Sequence, residues 1–316
     1  MLSSLKFVQG AVAKKDFVPA LNHFRIEGGR VKGYNGMIAL SGPIDLDLSI
    51  TPRALEFTKA IQACADTISM HLTPAGRLSI KSGRFKAFVD CIDEPFPGIE
   101  PEGAEVKLDG TFLEVVKQLA PFIAEDASRP WARGILFRGS SAFATNNVVL
   151  VERWLGYNFP VAINVPKQAV TELLRINEEP ERLQVTENNV TFHFSGNRWL
   201  RTQTYTLEWP DVSKVLDQLG TPTPPPESLF AAVETLIPFA EELPAIYFMP
   251  DGSITTSRTE GVGASVALDP FGALGAYNIH QFLLLQGVAT EIDLTRYPSP
   301  CIFYGDRIRG ALVGLR

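Results

Sequence analysis

The sequence predicts an α+β protein built from three tandem copies of one unit. Amphipathic helical stretches alternate with runs of period-two hydrophobicity closed by Gly and Asn turns. The order helix, strands, helix, strands then occurs three times. A finer detail also recurs. "KQLAPFIAED" (Lys117–Asp126) and "ETLIPFAEEL" (Glu234–Leu243) each set a proline inside a helical stretch, with Glu125 matched by Glu242. An internal proline removes a backbone donor and costs about 3 kcal/mol. Its repetition at one place points to a copied unit with a kink or a looser last turn there. Chance likeness of two short helices is the competing account, and the repeated flanking order argues against it.

The first copy opens with a helix near Leu2–Ala13 and the run "FVPALNHFRIEGGRVKGYNGMIALSG". A helix over Thr51–Asp66 and the run "ISMHLTPAGRLSIKSGRFKAFVDCI" complete it. Gly28-Gly29 and Ala75-Gly76 supply its hairpin turns. The second copy has helices over Gly110–Glu125 and Val165–Asn177, with turns at Asn188-Asn189 and Gly196-Asn197. The third has helices near Glu227–Leu243 and over Tyr277–Ala289. Pro-rich segments, Asp93–Gly103 and Gly220–Ser228, lie near the boundaries and read as semi-rigid linkers, with surface loops as the alternative. The domains are therefore set at residues 1–104, 105–219 and 220–316, and a chain of 316 residues exceeds one comfortable core.

Composition narrows the function. Apolar content of 45% and charged content of 20% are those of a soluble globular protein. The apolar runs are too short for a membrane span, and the N-terminus lacks a clear cleavage site. Cys64, Cys91 and Cys301 are scattered and odd in number, so they read as buried thiols in a reducing cytoplasm. A net charge of −6 argues against a protein that coats DNA with its outer surface. Any DNA contact must be local, or must not depend on electrostatic grip.

No catalytic constellation stands out, and no cofactor or metal is expected. "GVGASV" at Gly261 lacks the third glycine of a dinucleotide loop. His23, His71, His193 and His280 sit in separate elements without ligand spacing. Asn189-Val190-Thr191 fits a glycosylation acceptor, a coincidence in a chain with no secretion signal. An enzyme on an unrecognised two-layer fold is left without a motif to support it.

Several stretches together resemble the bacterial-type DNA polymerase sliding clamp family, the polymerase III beta subunit and its phage relatives. "RLSIKSGRFKAFVDCIDEPFPGI" resembles the end of that family's first domain, and "SRPWARGILFRGSSAFATNN" a run of its second. "VPKQAVTELLRIN" with "VTFHFSGNRWLRTQTYTLEWPDVSKVL" resembles the close of the second domain. "ALVGLR" looks like the family's apolar tail with its last two residues reversed. The resemblance implies three clamp domains, each of two helices and two antiparallel sheets, with two chains closing head to tail into a ring. It implies a DNA sliding clamp, a processivity factor in DNA replication, held by enclosure and without base readout. The implied partners are duplex DNA, the replicative DNA polymerase, a clamp loader and a second copy of the chain. The implied location is the cytoplasm, or the host cytoplasm for a phage protein. A clamp-like hub that does not encircle DNA is the alternative.

The resemblance also gives residues their roles. Polar positions on the helices that would line the bore are Lys6, Lys59, Lys117, Lys167 and Arg175. Lys14, Lys15, Arg129 and Trp131 match places where the family reaches DNA. A solvated surface charge is the plain alternative for each lysine, and core packing for Trp131. The third copy departs, since Glu227, Glu234, Glu241 and Glu242 crowd its first helix. Ala132, Thr145, Val149, Leu150, Pro210, Lys214, Val215, Leu312 and Val313 match places lining the partner-peptide pocket. Core packing is the alternative for Val149, Leu150, Val215 and Leu312. The family's Thr-Asp-Gly-His/Tyr-Arg-Leu turn reads Thr145-Asn146-Asn147-Val148-Val149-Leu150 here, which implies an altered peptide preference. Phe85, Ala87 and Phe88 fall on the edge strand expected at the ring seam, with Phe85 as plain core the alternative.

Overall fold

A computed structural model describes residues 1–14, 17–126, 128–240, 244–259 and 261–316. The first copy holds α1 (Leu2–Val8), β1 (Arg25–Glu27), β2 (Arg30–Tyr34), β3 (Ile38–Pro43), α2 (Ala54–Gln62), β4 (Ile68–Leu72), β5 (Arg77–Ser82) and β6 (Phe85–Asp90). The second holds β7 (Ala104–Lys107), α3 (Phe112–Leu119), β8 (Gly134–Arg138), β9 (Ser141–Thr145), β10 (Val149–Trp154) and β11 (Ile163–Pro166). It continues with α4 (Lys167–Ile176), β12 (Arg182–Val185), β13 (Asn189–Phe194), β14 (Arg198–Gln203) and the short α5 (Ser213–Leu216). The third holds α6 (Leu229–Leu236), β15 (Ala245–Phe248), β16 (Ser253–Thr255), β17 (Ser265–Ala267), β18 (Gly275–Asn278) and α7 (Ile279–Leu283). The chain closes with β19 (Glu291–Asp293), β20 (Cys301–Gly305) and β21 (Ile308–Leu312).

The α+β class expected from the sequence is the class observed. The strands form two seven-stranded sheets, in the orders β1-β2-β3-β14-β13-β12-β7 and β11-β8-β9-β10-β21-β20-β19. Two smaller sheets have the orders β17-β16-β15-β18 and β4-β5-β6. Each large sheet therefore joins strands of successive copies, through β3 on β14 in one and β10 on β21 in the other. The chain divides into two compact units, residues 1–113 with 168–204, and residues 114–167 with 205–316. Each seven-stranded sheet lies within one unit.

In the first unit, α1 lies over β2 and β3. A Cβ on Gly33 would stand 3.1 Å from the Val8 carbonyl oxygen, so glycine sets this close approach. The C-terminal carbonyls of α1 lack helical partners. Arg175 supplies one, its Nη2 donating to the Phe7 oxygen at 2.7 Å while its Nε donates to buried Glu172 at 2.7 Å. Glu179 does the converse for α3, accepting from the Phe112 and Leu113 N–H groups at 2.8 Å each. A carboxylate at a helix N-terminus also complements the helix dipole. On α2 the apolar spacing buries Ala54, Phe57, Ala60 and Ile61, and leaves Glu56 and Lys59 in water.

The helices are shorter than the sequence patterns suggest, and the repeated proline explains why. α3 and α6 stop at Leu119 and Leu236, and 3-10 turns over Ala120–Phe122 and Ile237–Phe239 follow, each with its proline near the start. The expected looser turn is therefore a tighter one, with i to i+3 bonds from Ile123 to Ala120 and from Ala240 to Ile237. The first copy makes the same change without proline, over Gln9–Ala11. Val165 and Pro166, assigned to a helix by periodicity, end β11 instead. The linker near Gly220 is partly ordered by an isolated bridge between Thr223 and Ile292. Of the thiols, Cys301 is buried and its ionisation pushed up by burial, whereas Cys64 and Cys91 are half-buried, against the expectation of buried thiols. Glu241, Glu242 and the end of the helix expected at Leu243 lie outside the described residues.

Candidate partner and nucleic-acid interfaces

The best-defined candidate site is built in the second unit around the β9–β10 hairpin. Asn146 shapes the turn by accepting from the Val148 and Val149 N–H groups at 3.1 and 2.8 Å. Asn147 takes φ of 75°, a conformation asparagine tolerates better than most residues. Thr145 ties the turn off, donating from Oγ1 to the Val149 oxygen at 2.8 Å. Across the sheet Val149 faces Leu312 and Leu150 faces Ala311. Arg309 then fastens the following linker. Its Nε donates to Glu152 at 2.5 Å and its Nη1 to Asp217 at 2.9 Å, just beyond α5.

This fastening sets α5 against the sheet. Leu136, Phe143, Leu150, Trp209, Val212 and Leu216 form one buried apolar cluster, with Trp131 and Val215 packed against it. Trp131 meets Trp209 edge to face, with ring centroids 5.0 Å apart at 63°. The Trp209 indole N–H is buried without a partner among the described residues. Such a group costs roughly 1–3 kcal/mol unless a donor–acceptor pair forms.

The expected pocket residues divide by depth. Ala132, Thr145, Val149, Leu150 and Leu312 are buried, Val215 is half-buried, and Pro210, Lys214 and Val313 are exposed. Val313 donates its N–H to the Val148 oxygen at 2.9 Å, so it extends the strand beside the turn. Trp209, Val212 and Leu216 join them, although sequence reading left them out. Trp209 and Val212 precede the single turn of α5, so no helical period in the sequence joins them to Leu216.

The basic candidates also differ among themselves. Lys6, Lys14, Lys59 and Lys117 are exposed, with no ion pair among the described residues. Lys14 also lines a cavity of about 340 Å³ with Val12, Arg53 and Leu55. Lys167 is half-buried and paired with Glu125, and its ammonium draws the Glu125 carboxyl below the usual range. Arg175 is held on Phe7 and Glu172 as described above. Arg129 is exposed and donates to Asn147 Oδ1 at 3.1 Å. Trp131 is half-buried against the apolar cluster. Lys15 lies outside the described residues.

The seam candidates lie on β6, an edge of the three-stranded sheet. Phe85 and Ala87 are half-buried on one face. Phe88 is 46% exposed on the other, with the Lys86 ammonium 4.8 Å from its ring centroid. Among the described residues, no group of His, Cys, Asp or Glu could hold a metal ion. No helix among them is long and apolar enough to cross a membrane.

No protein-family model and no curated protein matches the sequence. The fold, in contrast, matches solved structures over the whole chain. The polymerase III beta of Caulobacter crescentus superposes with a TM-score of 0.85 at 19% identity, covering 100% of this chain and 97% of that one. The beta subunit from the DNA polymerase of Streptococcus pyogenes gives 0.84 at 15%, with 100% and 97% coverage. The sliding clamp of Pseudomonas aeruginosa, in complex with griselimycin, gives 0.82 at 17%, again with 100% and 97%. The fold is that of the bacterial DNA polymerase III beta sliding clamps, as the sequence resemblance implied.

Proposed function

We propose that this chain is a DNA sliding clamp, a non-enzymatic processivity factor that encircles duplex DNA as a homodimeric ring and tethers the replicative polymerase. The observation that carries the reading is the repeated joint. Two seven-stranded sheets are each completed by strands of successive copies, in a fold shared over its full length with beta clamps. A unit that joins its own next copy by strand pairing can join a second chain in the same way. Two edges suit that role. Among the described residues β17 pairs only with β16, and β6 pairs with β5 and is engaged on its other edge only at its end, where the Asp90 carbonyl accepts from the Arg53 N–H at 2.9 Å. Exposed Phe88, Ile237 and Phe239 supply apolar surface for a seam. The three-domain division at residues 1–104, 105–219 and 220–316 belongs to this proposal.

Enclosure also reconciles a net charge of −6 with DNA. The ring needs only scattered, water-mediated phosphate contacts, which exposed Lys6, Lys14, Lys59 and Lys117 provide. Lys15, Arg129 and Lys167 complete the proposed DNA-facing set, whereas Arg175, held on Phe7 and Glu172, and Trp131, packed on Trp209, are left to the fold. A clamp loader opens the seam, and the protein works in the cytoplasm. The polymerase docks a short peptide on the apolar cluster beside α5, with Pro210, Lys214, Val215 and Val313 at its rim.

The test is topological. Loaded protein should remain on circular DNA and run off the ends of linear DNA, and sedimentation should show a dimer. Equal retention on both forms, or a monomer, removes the reading. Val215→Glu should abolish polymerase stimulation and leave retention on circles intact.

A further inference from the structure

We propose that the first unit carries a second peptide-docking pocket, which takes a neutral, extended peptide segment by one apolar side chain. The inference rests on the reading of the α5 cluster as a peptide site. It starts from the repeated joint. β3 pairs with β14 as β10 pairs with β21. The turn that opens β3 copies the turn that opens β10. Asn35 Oδ1 accepts from the Met37 and Ile38 N–H groups at 3.0 and 2.9 Å, as Asn146 does for Val148 and Val149. The backbone bond from Asn35 to Ile38 matches that from Asn146 to Val149, at 3.3 and 3.2 Å.

The two joints differ in what covers them. At the second, α5 and the residue before it lay Leu216 and Val212 on the sheet. At the first, the linker after β6 passes without a helix, and a cavity of about 440 Å³ stands open beside it. Tyr34, Met37, Ala39 and Ile99 give it apolar walls, and Asn189 and Gln203 give it amide donors and acceptors. Those amides suit a peptide main chain, and the apolar walls suit one side chain.

Charge selects among ligands. The Arg201 guanidinium in the wall is already bonded to the Glu100 carbonyl oxygen and the Glu102 carboxylate. Lys32 is paired with Glu100. With its cations neutralised by neighbouring carboxylates, the pocket offers a phosphate no uncompensated positive charge and favours an uncharged segment. Arg201 stands in register with Ala39, whereas Ala311 stands opposite Leu150 at the other joint. The two pockets therefore share a frame and differ in polarity, so they select different peptides.

The probe is an array of overlapping short peptides covering the replicative polymerase and clamp-loading proteins encoded with this chain. Binding is compared for the full-length protein and for Met37→Glu, Ile99→Asp and Val215→Glu. Met37 is 43% exposed, so a charge there leaves the fold in place, and Ile99 lies on a linker without regular structure. The expected result is at least one peptide weakened roughly tenfold by Met37→Glu or Ile99→Asp and unchanged by Val215→Glu. Peptides that all depend on Val215 alone overturn the proposal, as does an array with no binder. Retention of the wild type on circular DNA is scored separately, so a failed second pocket is distinguishable from a failed clamp.

Discussion

Phe122 and Phe239 hold the same place in two copies of one helix, and only Phe122 is buried. Each follows a proline in the 3-10 turn that ends its helix. Phe122 is 0% exposed and Phe239 is 54% exposed. A copied aromatic that has lost its cover is either idle or covered by something outside the chain. The seam reading makes Phe239 part of an interface. Phe122→Ala should cost about 3–5 kcal/mol in urea melts. Phe239→Ala should cost less than about 0.5 kcal/mol in the dissociated chain. It should nevertheless raise the dissociation constant of the dimer, read by sedimentation across a concentration series.

The other side of the proposed seam gives a sharper outcome. Phe88 is exposed on an edge strand beside Lys86. A carboxylate there would have to be desolvated on closing the ring, while the exposed position leaves the monomer's own packing alone. Phe88→Asp should sediment as a monomer and lose retention on circular DNA, with its thermal midpoint almost unmoved. A dimeric Phe88→Asp protein would place the seam elsewhere.

Glu179 offers a test inside one unit. Its carboxylate takes both of the first two N–H groups of α3 at 2.8 Å. Glu179→Ala should strand these donors at the cost of a strong helix cap, about 1–2 kcal/mol. Glu179→Gln keeps one acceptor oxygen and loses the charge, so it should fall between the two. Urea melts of the three proteins check the order.

The copied architecture was legible because hydrophobic period and turn residues are local. Gly28-Gly29, Ala75-Gly76 and Gly196-Asn197 stand at the hairpins they predict. Helix ends were less legible. Leu119 and Leu236 continue a helical pattern into Phe122 and Phe239, and the change to 3-10 pairing leaves hydrophobic spacing nearly untouched. The role of Arg175 was hidden for another reason. Its position on an amphipathic helix reads as solvent-facing, but its partners, Phe7 and Glu172, include a carbonyl 168 residues away. The missing half of the apolar cluster, Trp209 to Leu216, sits on a segment whose single helical turn is too short to register as an element. Its residues are held by burial in the cluster and by Arg309, from the far end of the chain, on Asp217, and no local pattern carries either contact.

His193 sets a pH dependence whose sign can be worked out. Its Nε2 lies 2.7 Å from Gln184 Oε1 on the neighbouring strand, and Arg182, paired with Glu105 at 2.8 Å, stands opposite it in register. Burial first, and then the Arg182 charge, push its pKa from 6.5 down to about 4. In the unfolded chain the ring takes up a proton near pH 6.5, whereas the folded protein resists protonation until about 4. The stability tied to the neutral ring is therefore whole above pH 6.5 and is lost as pH falls toward 4. His193→Gln cannot bind that proton in either state. Its loss of stability between pH 7 and pH 5 should be smaller than the wild type's, in paired urea melts at constant salt. Equal slopes for the two proteins would mean that the folded ring titrates as freely as the unfolded one, and that neither burial nor Arg182 acts on it.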